Sequence, residues 1–147
     1  MRAIRLRAVL DAPDVFNTTF AEYADWPEKR WAAQLVASSV FVAVENGFDV
    51  GMIRLTRDDC LDGMAWLVQL WVAPSMRCKG IGGALVDTVI QSARLDGFER
   101  ILLDVGNDNA PAIALYRSRG FVPNGQSSTM PPPREHVCEH QLERGLR

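Results

Sequence analysis

Ile4, Leu6 and Ala8 alternate with Arg5 and Arg7, a period of two that predicts a strand over Ala3–Val9. Asp11-Ala12-Pro13 stops that run and offers a helix cap. Two helices are predicted next, over Pro13–Tyr23 and Pro27–Ser38. The second has Pro27 and Glu28 in its first turn, where a missing N–H costs nothing and a carboxylate meets the positive end of the helix dipole. Apolar runs at Val40–Glu45 and Val50–Leu55 flank Asn46-Gly47, residues suited to the positive φ angles of a two-residue hairpin turn. Ala65–Val72 is a third strand of this meander, reached through an acidic loop holding Asp58, Asp59 and Asp62. Over residues 80–96, Ile81, Leu85, Val86, Val89, Ile90 and Ala93 recur at helical spacing, and Gly97 supplies the stop. Ile101–Val105 is a short apolar strand. Asn109 is expected to cap a helix running through Arg119, with Pro111 tolerated in its first turn, and Gly120 ends it. Phe121 begins another strand, Pro123–Pro133 is expected as a surface loop, and Val137–Leu146 closes the chain as a strand.

The predicted order is strand, helix, helix, three strands, helix, strand, helix, strand, strand. Antiparallel hairpins followed by two crossover helices give an α/β (α+β) fold with one mixed sheet of six to seven strands. The 147 residues are expected to form a single domain, 1–147. A composition of 48% hydrophobic and 23% charged residues excludes a disordered chain and a collagen. No apolar run reaches the roughly 18 residues of a spanning helix. Arginines interrupt the apolar N-terminus, which does not suit a secretory signal, so a cytoplasmic location is expected. The net charge is −2 and no basic cluster is present, which argues against a nucleic-acid partner. Cys60, Cys78 and Cys138 are odd in number and widely spaced, as expected of reduced thiols.

The segment from Leu70 to Gly83 carries the clearest chemistry. A strand ends, a basic turn follows, and Gly80, Gly82 and Gly83 open the long helix. The first N–H groups of a helix have no internal partner, and the helix dipole favours an anion beside them. Glycines let that anion approach the backbone, and Arg77 and Lys79 add positive charge, so this turn is read as a pyrophosphate site. It is not a Walker A loop, since no Gly-Lys-Ser/Thr ends it. It is also a poor dinucleotide fingerprint, because Leu85 stands where the last Gly or Ala belongs.

Arg77-x-x-Gly80-x-Gly82 resembles the Q/R-x-x-G-x-G/A motif of the GCN5-related N-acetyltransferases, the GNAT superfamily. Leu103-Asp104-Val105, Asn109, Ala112, Leu115-Tyr116 and Gly120-Phe121 resemble its second signature, at the expected spacing from the first. The motifs cover residues 70–121, and the element order fits over essentially the whole chain.

This resemblance implies an acetyl-CoA-dependent N-acetyltransferase acting on a primary amine by direct transfer. It implies acetyl-CoA as co-substrate, with its pyrophosphate on Arg77, Cys78, Lys79, Gly80, Ile81, Gly82 and Gly83. It places Leu70, Trp71 and Val72 along the pantetheine arm through their main chain, one N–H there polarising the thioester carbonyl. Asn109 would cap its helix and bond the cofactor arm. Tyr116, seven residues on, would protonate the departing thiolate as the catalytic acid. Subunit pairing is common in the family, which leaves a homodimer open.

Many family members carry a glutamate on the strand before the glycine turn, but Ala65–Val72 has no ionisable side chain. The amine's proton must leave through water or to a carboxylate elsewhere, with Asp104, Glu22 and Glu28 as candidates. The lack of a strand carboxylate keeps an alternative in view, a non-catalytic acyl-CoA-binding module of the same fold. Cys78 is read as a small residue tolerated in the basic turn rather than a redox group. His136, Cys138 and His140 would share one strand face, but spread over about 13 Å they cannot close around one ion, so no metal site is expected. The N-terminal helices and the Pro123–Pro133 loop are expected to form the acceptor cleft. Their Asp11, Asp14, Glu22, Asp25 and Glu28, with Trp26 and Trp31, would suit a cationic amine or form a solvated acidic face, and a small-molecule amine, an amino-acid derivative, an antibiotic and a peptide or protein N-terminus all stay open as acceptors.

Overall fold

The computed structural model describes all residues, 1–147. The chain opens with a helix, α1 (Arg2–Asp11), and not with the strand expected over Ala3–Val9. Ile4, Arg5, Ala8 and Val9 are its buried positions, a helical spacing, and arginine, alanine and leucine are good helix formers. The Ile4/Leu6/Ala8 alternation is therefore coincidental, and the sheet loses the strand it would have supplied. A short 3-10 turn at Pro13–Val15 precedes α2 (Phe20–Ala24) and α3 (Glu28–Ala37). The first predicted helix shrinks to these two pieces. Helix α2 starts at a Thr19/Glu22 capping box, in which each side chain satisfies the other's backbone N–H.

Strands β1 (Ser38–Glu45), β2 (Phe48–Arg57) and β3 (Met64–Val72) form the antiparallel meander. Asn46 and Gly47 turn the first hairpin with φ angles of 51° and 80°. Helix α4 (Ile81–Leu95) crosses to β4 (Arg100–Gly106), which lies parallel to β3. Helix α5 (Ala110–Ser118) is followed by β5 (Val122–Thr129) and β6 (Cys138–Gly145). Most of the expected Pro123–Pro133 loop is thus strand. The sheet has six strands in the order β1-β2-β3-β4-β6-β5.

Helices cover both faces. Ile53, Leu55, Leu67, Leu103 and Val105 pack with Val86, Val89 and Ile90 of α4 and Tyr116 of α5. Met52 and Trp71, on the other face, pack with Ile4, Ala8, Tyr23 and Trp31 of the N-terminal helices. That second face holds the cleft described below. Arg134, buried in the segment before β6, donates to the carbonyls of Pro13, Phe16 and Asn17. It ties the last loop to the N-terminal segment 121, 118 and 117 residues away in sequence. No helix is long and apolar enough to cross a membrane.

Candidate active site

The site begins where β3 and β4 part. Their parallel ladder runs only from Met64↔Arg100 to Trp66↔Leu102, although β3 continues to Val72 and β4 to Gly106. Beyond Trp66 the β4-facing edge of β3 has no strand partner, so backbone groups there are free to bind a ligand. On its other edge, β3 pairs with β2 and bulges. The register passes from Arg54↔Val68 to Met52↔Trp71, so β3 carries one extra residue there. Gln69 takes up the bulge with a φ of 59°, and its Nε2 donates to the Tyr23 hydroxyl at 2.8 Å. Gln69 Oε1 is buried without a partner.

The opened sheet forms a cleft of about 930 Å³. Leu70, Asn109 and Tyr116 line it, so the structure brings these three predicted residues together. Tyr116 is only 6% exposed, with its ring edge-on to Phe121 at 5.8 Å. Burial pushes its phenol above the usual range, keeping it a proton donor. Asn109 is the residue before α5 as expected, but its side chain makes no capping hydrogen bond. Its amide is therefore not used by the helix. Trp71 and Val72 are not among the lining residues. The Trp71 side chain lies in the second core, where its indole Nε1 donates to Asp11.

The glycine turn lies at the other end of β3. Gly80 precedes α4 with a φ of 83°, and Cys78 has a φ of 61°. Ala84 N–H to the Gly80 carbonyl closes the first bond of α4. No protein acceptor takes the N–H groups of residues 78–83, and no side chain caps the helix. A row of free donors at a helix N-terminus fits a phosphate-bearing ligand. A Cβ on Gly82 would stand 3.2 Å from Leu115, so a larger residue there would crowd the turn. Arg119 lies directly over Gly83 and is paired with Asp87 at 3.2 Å, a cation that the motifs did not reveal. Arg77 is held differently from expectation: its guanidinium bonds the Val72 carbonyl and the Asp11 carboxylate. Lys79 Nζ is 3.9 Å from Met76 Sδ.

The candidate bases separate. Glu22 is engaged with Thr19, and hydrogen bonds from that residue hold its carboxyl low. Glu28 is exposed and does not line the cleft. Asp104 does line it, on a central strand rather than an edge, and desolvation raises its carboxyl. Beside it stands Glu139, which sequence reasoning missed. On the β4–β6 ladder Asp104 faces Gln141 and Gly106 faces Glu139, so both carboxylates share the cleft face. Glu139 is 8% exposed, and burial, then the charge of Asp104, raises its carboxyl. Strand β6 starts at Cys138, which leaves His136 in the preceding segment, 3.9 Å from Asp14. His136 and Cys138 line the cleft, whereas His140 does not. Arg54 of β2 lines the cleft too, and sequence reasoning missed it as well.

The model of the Acetyltransferase (GNAT) family matches residues 6–121. The chain therefore belongs to the GNAT acetyltransferase family. N-acetyltransferase family 8 member 7 of Mus musculus is 34% identical over 116 residues, covering 77% of this chain and 50% of that protein. The chain spans half or less of the length of the mouse and human relatives it matches. Among solved structures, a ribosomal-protein-alanine N-acetyltransferase from Brucella melitensis shares the fold with a TM-score of 0.76 at 21% identity, over 99% of this chain and 96% of that one. A Salmonella typhimurium protein described as an acetyltransferase, solved with its cofactor acetyl-CoA, has a TM-score of 0.79 at 23% identity, over 99% and 86%.

Proposed function

We propose that the chain is an acetyl-CoA-dependent N-acetyltransferase acting as a single domain in the cytoplasm, moving an acetyl group directly to a primary amine. The observation that carries this reading is the parting of β3 from β4 after Trp66, which leaves a free strand edge leading to the uncapped start of α4. The free strand edge thus offers backbone groups for an amide-bearing arm, and the turn that follows β3 offers a row of backbone donors for phosphate. The relative from Salmonella typhimurium, of the same fold, was solved with acetyl-CoA.

Acetyl-CoA would supply the activated acetyl thioester. The N–H groups of residues 78–83 would hold its diphosphate, with Arg77, Lys79 and Arg119 nearby as cations. The free edge at Leu70, Trp71 and Val72 would pair with the pantetheine amides, and an N–H there would polarise the carbonyl. The unused Asn109 amide would bond the arm. Tyr116 Oη holds the proton for the leaving sulfur, and its burial keeps that proton in place at neutral pH. With no carboxylate on β3, Asp104 of β4 and Glu139 of β6 would take the amine's proton, and burial raises both carboxyls, which favours their accepting it. Much of the rate comes from holding amine and thioester together in one cleft.

Isothermal titration with acetyl-CoA and with desulfo-CoA tests this reading. Micromolar binding, lost in the Arg77→Ala/Gly82→Trp double variant, is expected. No binding at millimolar acetyl-CoA would overturn it. Binding without turnover of any amine would favour the non-catalytic acyl-CoA module instead.

A further inference from the structure

The cleft is polarised, and its cationic wall has no ionic partner. Arg54 lines it from β2, with Arg30 and Gln34 from α3. Arg54 shares one neutral acceptor, Gln34 Oε1, with Arg5, so two guanidinium groups converge on a single amide oxygen. Neither arginine is within salt-bridge distance of a carboxylate, and Arg54 Nε is buried without a hydrogen-bond partner. Arg5 has other support, because its guanidinium lies over Tyr23 at 5.5 Å and over Trp31 at 5.3 Å. Burial pushes Arg5 down to about 10, Tyr23 opposes that shift, and the Arg54 charge adds to it. A cation left uncompensated at a cleft wall is costly unless an anion visits it.

The opposite wall is acidic. Asp104 and Glu139 line the cleft from β4 and β6. Arg54 and Asp104 project from the same face of the sheet, because Arg54 is opposite Val68 and alternates with the core residues Ile53 and Leu55, as Asp104 does with Leu103 and Val105. Strand β3 lies between them, so their columns are at least about 10 Å apart, and wider where β3 and β4 have parted beyond Trp66 and Leu102, a gap the long Arg54 side chain helps to span. An amino group and a carboxylate on one carbon, with a hydrogen bond at each end, span about 9 Å. Trp66 and Val68 form the floor between the walls, and Tyr23 and Trp26 also border the cleft.

We propose that the acceptor is a free amino acid with an apolar side chain, its carboxylate held by Arg54 with Arg30 and Gln34, and its amine directed to Asp104 and Glu139. This rests on the acetyltransferase reading and specifies the acceptor for it. It narrows the acceptors that the sequence left open to an amine that also carries a carboxylate. Of the acidic residues behind the cationic-amine reading, Asp11 bonds Trp71 and Arg77, Glu22 bonds Thr19, Asp25 and Glu28 are on the surface, and Asp14 alone reaches the cleft, exposed beside His136.

The test compares matched triplets by thiol release from acetyl-CoA: L-phenylalanine, L-phenylalaninamide and phenethylamine, then L-leucine, L-leucinamide and 3-methylbutylamine. The acids are expected to exceed their amides and amines at least 10-fold in kcat/KM. In Arg54→Gln that ratio should fall towards one, mainly through KM of the acid, and Arg54→Lys should restore part of it. Thermal melting confirms that each variant is folded. A wild-type preference for the amides or amines would overturn the proposal, whatever the variants do. So would an acid preference that Arg54→Gln leaves intact. If acetyl-CoA binds by titration but no triplet member turns over, the acceptor proposal falls and the acetyltransferase reading stands. If acetyl-CoA does not bind, the underlying reading falls.

Discussion

The Asp11 carboxylate accepts a hydrogen bond from the Trp71 indole at 3.0 Å, across 60 residues of sequence. The same oxygen takes Arg77, so one carboxylate joins the end of α1, the end of β3 and the start of the glycine turn. The Trp71 bond, and then Arg77, hold the Asp11 carboxyl below its usual value. A lowered folded-state value means that the contribution is present above the unfolded value of about 3.9 and is lost as pH falls through the folded one. The pair is partly exposed, so Asp11→Asn should cost about 1 kcal/mol at pH 7, a fall in Tm of about 4 °C. Melting curves from pH 7 to 3 check this. The difference between wild type and variant should shrink at the acid end.

Arg134 should matter more for stability. Its buried guanidinium serves three carbonyls of the N-terminal segment that borders the cleft. Arg134→Ala would leave the Phe16 carbonyl without that donor and loosen the cleft wall, at a cost of about 3 kcal/mol. A Tm about 10 °C lower is expected. Limited proteolysis should then cut first within residues 12–19.

These two contacts also show what the sequence could and could not reveal. Asn46-Gly47, the stripe of α4 and the glycine turn are local patterns, and each was readable because its cause lies within a few residues. Helix α1 misled because Ile4, Leu6 and Ala8 fit period two, while burial of Arg5 between Tyr23 and Trp31 depends on a fold not yet formed. Glu139 and Arg54 belong to no motif. Glu139 reaches the cleft only because β6 inserts between β4 and β5, an order that follows from the sheet as a whole. Tyr116 and Asn109 were legible through the family's spacing, and the structure brings them to one cleft with Leu70.

Tyr116→Phe tests the acid. Burial makes the phenolate unfavourable, so Tyr116 stays protonated beyond pH 10 and contributes no alkaline limb below it. The variant should lose about 100-fold in kcat while KM for acetyl-CoA changes little. The shape of its pH–rate profile up to pH 10 should match that of the wild type. A shifted alkaline limb in Tyr116→Phe would contradict the assignment.

Asp104 and Glu139 carry the opposite signature from Asp11. Their folded-state carboxyls are raised, chiefly by desolvation, so ionising them at neutral pH opposes folding. The fold gains stability from these groups as pH falls through their raised values, and neutralising one by substitution should mimic that gain. Glu139→Gln is therefore expected to melt at or above the wild-type temperature at pH 7, by about 1 °C or more, while kcat/KM falls about 100-fold or more. Asp104→Asn removes the like charge beside Glu139, leaving burial to raise that carboxyl and Arg134 to lower it. The acidic limb of kcat/KM should then move to lower pH, and activity at pH 7 should fall about 10-fold. Paired melting and pH–rate measurements on both variants check this. A residue held only for packing would lose stability on substitution, whereas a carboxylate retained for proton transfer loses activity and keeps the fold.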